Sequence, residues 1–522
     1  MSELTVGEAL VGLLEAYGVD TVFGIPGVHN VEMYRALPRA KIKHILPRHE
    51  QGAGFMADGY ARATGKPGVC FTITGPGLLN ILTPMGQAWS DSSNVLVVSS
   101  ALDIKDSAQG RGRLHEMISQ HDAAKSVTSL AMRAYTPFDV QDGLARAFSH
   151  FASARPRPAY LEIPLDLFSD PAGPGWKAKP AGKLPLASPQ EIAEAVNLLK
   201  GAKRPMMVLG GGALAAGASA LSIAEKLASP IITTTAGKGA VPAGHPLCWG
   251  YCLASSDVQN RLAASDCVLA VGTELSETDL WTSEFRLDGN VIRIDIDPSS
   301  LARPHAAKLA ILSDAKAALS AIDAALKSGS AKASPAPATG DDDELRVMLT
   351  KVLRVIRDSL PEETVIASDM TQIAYAANVI FPVSKPRTWI HPVGFGTLGF
   401  ALPAAIGAKF GVGTTPVVAL AGDYGFQYTA NELGTAVEHE LPLPILLWNN
   451  NALGQIRDNM VESGIQPNAV TLKNPDFMML AKAYGAGAER PANLKALATA
   501  ITGALKAKGP TIIEMTQAMV QG

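Results

Sequence analysis

Short apolar runs, rich in β-branched residues, set the strongest limit on the fold of this chain. VLVVSS at 95–100, VIRIDI at 291–296 and PILLWN at 444–449 recur between longer stretches of helical period, such as the amphipathic Thr5–Tyr17 with its Glu8 and Glu15. A strand that is apolar over its whole length is buried on both faces, as happens when helices cover both sides of a parallel sheet. The alternation predicts an α/β fold.

At 522 residues the chain is longer than one hydrophobic core supports, about 250 to 300 residues. Two segments break the rhythm: Pro171–Pro189, with its Pro, Gly and Lys, and Ser328–Asp343, which reads SGSAKASPAPATGDDD. Both read as linkers. They divide the chain into three doubly wound parallel-sheet domains at 1–172, 186–328 and 342–522, with no short internal repeat. A net charge of -3 with both signs interspersed points away from a nucleic-acid partner. No run of about 18 apolar residues implies a membrane span, and the start lacks the basic and apolar pattern of a signal peptide. Cys70, Cys248, Cys252 and Cys267 have no C-x-x-C spacing and read as reduced thiols of a cytoplasmic protein.

Val417–Asp458 carries the densest chemistry. VVALAGDYGFQYTANELGTAVEHELPLPILLWNNNALGQIRD reads as a strand, a turn, a helix from near Thr429, a Pro-marked loop and a second strand ending at Asn449. Right-handed crossovers bring the carboxyl ends of such strands to one sheet edge, where ligands of open α/β sheets bind. Asp423 and Asn450 both emerge there. A carboxylate, an amide oxygen and a loop carbonyl suit a hard cation such as Mg²⁺ better than zinc. Taken alone, an aspartate and paired asparagines at strand ends more often cap turns.

In Leu46–Gly65, LPRHEQGAGFMADGYARATG, a strand ends near Pro47 and Glu50 opens a helix. A glutamate there is ordinarily a partner of the helix dipole. Its apolar surroundings also suit a carboxyl group whose burial raises its pKa and prepares it to share a proton near neutrality.

With Gly422, Asp423, Asn449 and Asn450 spaced as a G-D-G…N-N signature, and His49 through Arg62 as H-E…A…M-A…G-Y-A-R, the chain resembles thiamine-diphosphate-dependent enzymes. FGIPGVH, LPRHEQGAGFMADGYARATG, the LHE segment and GFGTLGFALPAAIGAK are similar to those of the acetolactate-synthase-like branch described as 5-guanidino-2-oxopentanoate decarboxylases. The resemblance implies a pyrimidine-binding first domain, a central Rossmann-like domain and a diphosphate-binding third domain. It implies that Asp423, the Asn450 side chain and the Ala452 carbonyl hold Mg²⁺, and that Gly422 and Gln372 lie along the diphosphate. Glu50 would bond N1′ of the aminopyrimidine, Gly396 would accept from the 4′-amino group, and Leu398 would wedge the cofactor into a bent shape. The C2 carbanion would then attack a 2-oxo acid, release CO₂ and leave an enamine, whose protonation gives an aldehyde.

The resemblance also makes His29 and His115 candidates for proton delivery, a role that suits an imidazole titrating near neutrality, and places Gln455 toward the substrate. GPGLLN at 75–80 and GGGA at 210–213 read as glycine-rich turns without phosphate-loop spacing, and no flavin is expected. The implied partners are a 2-oxo acid and a second copy of the chain, in a homodimer or homotetramer with active sites at the subunit interface. Acetolactate-type carboligation is the alternative outcome. Tyr424 stands where the family has a small residue, so a non-catalytic paralogue with weakened cofactor binding is a third reading.

Overall fold

Local rules start the chain as its composition dictates. The Thr5 side chain accepts from Glu8 N while Glu8 reaches back to the Thr5 N–H, a reciprocal cap on the helix Val6–Ala16. The computed structural model describes residues 4–107, 109–282, 284–303, 305–327 and 344–521.

Three six-stranded sheets follow one another. The first holds β1 (Thr21–Gly24), β2 (Lys43–Ile45), β3 (Gly68–Thr72), β4 (Val95–Ala101), β5 (Leu130–Arg133) and β6 (Ala159–Pro164), in the order β2-β1-β3-β4-β6-β5. The second holds β7 (Pro205–Leu209), β8 (Ile231–Thr233), β9 (Cys248–Gly250), β10 (Cys267–Val271), β11 (Asn290–Asp295) and β12 (Leu309–Leu312), ordered β12-β11-β10-β7-β8-β9. The third holds β13 (Val365–Ser368), β14 (Trp389–Ile390), β15 (Val417–Gly422), β16 (Pro444–Trp448), β17 (Gly487–Glu489) and β18 (Thr511–Met515), ordered β14-β13-β15-β16-β18-β17. Every pairing is parallel. The apolar runs became β4, β11 and β16, each flanked by two strands, as burial on both faces requires.

The first and third sheets share one topology, and the second has the strand order of a dinucleotide-binding fold. Buried side chains cover both faces of each sheet. One cluster is common to the first and third: Phe23, Val97 and Tyr160 belong to the one, Ala419, Leu447 and Ile512 to the other. The helices Glu50–Thr64 and Ala401–Val412 lie between them, with Phe55 edge-to-face on Phe400 at 5.4 Å. Burial of such an aromatic side chain stabilises by about 1.5 to 3 kcal/mol, so this layer welds the two sheets together.

Three local expectations change. The helix expected from near Thr429 begins at Asp423 and runs to Tyr428, followed by a 3₁₀ turn Ala430–Glu432 and a helix Leu433–Glu438. The strand therefore passes into a helix with no intervening turn. GPGLLN is not a turn but the start of the helix Pro76–Ser90, because Gly75 at φ 69° makes the break and Pro76 presets the first helical φ. GGGA winds into a 3₁₀ helix over Gly211–Ala216. Of the two linkers, residues 172–188 carry no helix or strand, and Ser328–Asp343 lies outside the described residues. No helix among the described residues is long and apolar enough to cross a membrane.

Candidate functional site

In the first sheet the strand order reverses between β1 and β3, and the loops leaving their carboxyl ends carry His29 and Gly75. Ligands of open α/β sheets gather at such a point. The Glu50 helix starts beside it. His49 caps that helix, its Nδ1 accepting from Gln51 N at 3.1 Å. Glu50 takes the first helical position, is buried, and accepts from Asn80 Nδ2 at 2.9 Å. Gly75 lies against the His115 carbonyl, 2.5 Å from where a side chain would begin. His115 itself is held at φ 64°, and its ring meets His29 edge-on with centroids 4.7 Å apart. The Nδ1 atoms of both rings are buried and unbonded among the described residues. Burial, then the charge of His115, lowers the His29 pKa and favours the neutral ring. Thus His29 pairs with His115 and Glu50 with Asn80, and the turn between them links the two pairs, Gly75 lying against the His115 carbonyl and Gly77 beside Glu50 Oε1.

The second cluster sits at the carboxyl ends of β15 and β16, next to the β13–β15 switch point of the third sheet. Gly422 pairs with Trp448 in register, so Asp423 and Asn449 leave adjacent strands side by side. Asp423 is buried; its Oδ2 accepts from Asn451 N and Asn474 Nδ2, each at 2.8 Å, and its Oδ1 from Tyr424 N at 3.0 Å. Burial raises its pKa and these bonds oppose the rise. Asn449 donates to Glu514 at 2.7 Å. Asn450 donates to Gln372 Oε1 at 3.0 Å, while its own Oδ1 accepts from Ala452 N at 3.1 Å. Gln372 continues to Asp458 at 3.0 Å.

These residues fit a hard cation. A carboxylate has about four acceptor sites, and the three N–H bonds to Asp423 leave room for a metal. Asn450 Oδ1 and the Ala452 carbonyl are neutral oxygens of the kind Mg²⁺ takes beside phosphate and water. Asp423, Asn450 and Ala452 all offer oxygen, and among the described residues no group of three or more His, Cys, Asp or Glu side chains could hold a metal ion. The Tyr424 ring turns along its own helix onto Tyr428, centroids 5.3 Å apart.

Gly396, at φ 66°, and the half-buried Leu398 lie on the segment between β14 and the Ala401 helix. Its base is anchored by Asp369, whose carboxylate accepts Gly399 N at 3.0 and 3.1 Å. Its tip is tied to the Pro76 helix, where Thr397 Oγ1 donates to Gln87 Oε1 at 2.7 Å. Seven residues separate Gln87 from Asn80, about 10 Å of helix rise. Within one chain, Gly396 and Leu398 are therefore displaced from Glu50, and no hydrogen bond among the described residues joins the Glu50 cluster to the Asp423 cluster. Gln455 is exposed and bonds Asn459 of its own helix at 3.0 Å. A 450 Å³ cavity lies elsewhere, at the carboxyl edge of the second sheet, walled by Gly210, Gly272, Asp295, Arg62 and Arg155.

The motifs gave no sign of Asn80, Asn474, Asp458 and Glu514. Each reaches its partner across 30 to 86 positions, a range local spacing does not cover. Only Asn80 and Asp458 had a hint, the one in the glycine-rich GPGLLN and the other at the end of the Val417–Asp458 stretch.

Three family models match: the N-terminal TPP binding domain of thiamine pyrophosphate enzymes over residues 4–124, their central domain over 192–322 and their C-terminal TPP binding domain over 369–515. The "Probable 2-ketoarginine decarboxylase AruI" of Pseudomonas aeruginosa is 44% identical over 99% of this chain and 94% of its own length. The "Probable acetolactate synthase large subunit" of Methanocaldococcus jannaschii is 32% identical over 92% of this chain and 87% of its own. The "X-ray structure of a putative thiamin diphosphate-dependent enzyme isolated from Mycobacterium smegmatis" has the same fold: TM-score 0.87, 22% identity and 99% coverage of both chains.

Proposed function

Because the chain belongs to the thiamine pyrophosphate enzymes, we propose that it uses thiamine diphosphate and Mg²⁺ to decarboxylate a 2-oxo acid to an aldehyde, with 2-ketoarginine the first substrate to test. The observation that carries this reading is the end-to-end match to a relative named as a 2-ketoarginine decarboxylase. The two buried clusters support it. In this reading the domains at 1–172, 186–328 and 342–522 bind the pyrimidine, bridge the chain and bind the diphosphate.

Asp423, Asn450 Oδ1 and the Ala452 carbonyl would hold Mg²⁺, with Gln372 and Gly422 along the diphosphate. The Gly396 carbonyl and Leu398 would receive the pyrimidine end and fix its bend. When bound, the cofactor supplies the electron sink for the charge left by departing CO₂. Glu50, desolvated and steadied by Asn80, holds the proton shared with the pyrimidine N1′. His29 and His115 face each other with free Nδ1 atoms and deliver the proton that the product carbon takes. Gln455 reads the substrate's tail.

The working unit is a homodimer or homotetramer whose sites combine Glu50 of one subunit with Asp423 of another. Apolar side chains beside the candidate residues support this, since Val28, Leu79, Leu114, Phe395 and Ile456 are all exposed in the single chain.

Carboligation of the acetolactate type is the second reading, favoured by the full-length acetolactate synthase relatives. Purified protein supplied with thiamine diphosphate, Mg²⁺ and 2-ketoarginine should release CO₂ and an aldehyde, and lose that activity when either cofactor is withheld. Acetolactate from pyruvate as the sole product overturns decarboxylation. Failure to bind thiamine diphosphate by titration calorimetry establishes the non-catalytic reading raised by Tyr424.

A further inference from the structure

Glu432 is fully buried in the 3₁₀ turn nine residues beyond Asp423, yet its carboxylate is directed at the first sheet's module. Its Oε1 and Oε2 accept Arg48 N at 3.0 and 3.1 Å, and the His49 N–H joins them. Thr435 Oγ1 donates to Oε2 at 2.8 Å, and Asn431 Nδ2 to Oε1 at 3.3 Å. Gly52, in the first turn of the Glu50 helix, lies directly against Oε1, with no space for a side chain. The carboxylate thus grips the backbone on the N-terminal side of Glu50 and lies under the turn that follows it. The helix's own cap acts elsewhere, because the His49 ring serves Gln51 N.

Two consequences follow from elementary chemistry. N–H groups at a helix start have no partner inside the helix. Burial pushes the Glu432 carboxyl up to about 7 while the Thr435 hydroxyl and the Arg48 and His49 N–H groups hold it down, and above that pH the ionised group is a stronger acceptor than a neutral one. Glu50 stands at the first helical position, so the direction of its carboxyl group depends on the peptide planes at Arg48 and His49. We propose that Glu432 is the positioning residue of Glu50, a carboxylate of the third sheet's module that fixes the peptides from which the Glu50 side chain is presented to Asn80 and to the pyrimidine. This rests on the reading of Glu50 as the acid that engages the cofactor.

A cycle of variants tests it by binding as well as turnover. Thiamine diphosphate affinity, in the presence of Mg²⁺, is measured by titration calorimetry for the native protein, Glu432→Gln, Glu50→Gln and the double variant. At pH 8, where Glu432 is mostly ionised, Glu432→Gln keeps volume and one acceptor while removing the charge. It should weaken binding by about tenfold in the native background and leave it within about twofold when Glu50→Gln is present, with kcat falling and the KM for the 2-oxo acid little changed. A purely structural role lowers affinity equally in both backgrounds, and that result, or no loss in either, overturns the inference. If Glu432→Gln does not fold, Thr435→Val, which removes one donor to the carboxylate, goes through the same cycle and is judged by the same background dependence. Should Glu50→Gln alone bind and turn over like the native protein, the proposed role of Glu50 falls and this inference with it; an inactive Glu50→Gln with a uniform Glu432→Gln loss refutes the inference alone.

Discussion

Asp58 is wholly buried in the Glu50 helix, beside Arg62 and the Ser93 hydroxyl. Burial lifts its pKa from 3.8 to about 6, with Arg62 pulling the other way. The folded chain therefore favours the acid form, and that contribution is whole below 3.8 and is lost as pH rises through about 6. Asp58→Asn should raise the thermal midpoint relative to the native protein more at pH 7.5 than at pH 4, an effect on the order of 3 kcal/mol; a pH-independent difference would refute it. Asn474 is the residue-scale counterpart in the third module. It donates to both Asp423 and Asn449, so Asn474→Ala should weaken Mg²⁺-dependent thiamine diphosphate binding by about tenfold, as loss of a supporting partner does at metal sites. Unchanged calorimetric affinity would place Asn474 outside the site. Asp423, Asn450 and Glu50 were legible because each stands in a local pattern of residue types. Asn80 and Asn474 were not, because their meaning comes from a side chain folded back from another element.

At the scale of elements, the Glu50 and Ala401 helices approach so closely that small residues decide their fit. A side chain at Gly59 would run into the Ala404 carbonyl, and one at Gly407 into the Met56 carbonyl. Gly59→Ala must push backbone aside and should destabilise by about 1 to 3 kcal/mol or more, seen as a lower midpoint in urea. Gly12, exposed in the Val6–Ala16 helix with open space where a side chain would begin, reverses the sign. Gly12→Ala should stabilise by about 0.5 to 1 kcal/mol through lower unfolded-chain entropy. If both changes shift stability alike, the close helix packing is not the cause. The sequence marked the N-terminal helix by its amphipathic pattern and the Glu50 helix by the glutamate at its start, but no helix was expected over Ala401–Val412, and nothing signalled its contact with the Glu50 helix. It also misjudged where the Asp423 helix starts and what GPGLLN does, because a strand that enters a helix at once, or a proline-led helix start, carries the same residues as a turn.

Across the whole molecule, the Glu50 and Asp423 clusters belong to modules of identical strand order that share a core. Yet, although Glu432 and Thr397 of the third module bond Arg48 and Gln87 of the first, the described residues join the two clusters themselves by no hydrogen bond, and exposed apolar side chains lie beside the candidate residues. If a site takes one cluster from each of two subunits, inactive Glu50→Gln and inactive Asp423→Asn proteins should complement when unfolded and refolded together. Random pairing gives about a quarter of native activity, because each mixed dimer has one site with both native residues. No recovery in a mixture shown by light scattering to be dimeric would mean that each chain builds its site alone. By itself the sequence determined the α/β class, the parallel sheets and the chemical identity of the residues at their edges, since strand burial and strand-end spacing are short-range properties written in neighbouring residues. Only the tertiary structure decided that the first and third sheets repeat one topology, that Asn80 steadies Glu50 and that Glu432 lies beneath it. Those contacts arise where packed surfaces meet across tens to hundreds of positions, and no local pattern encodes which surfaces meet.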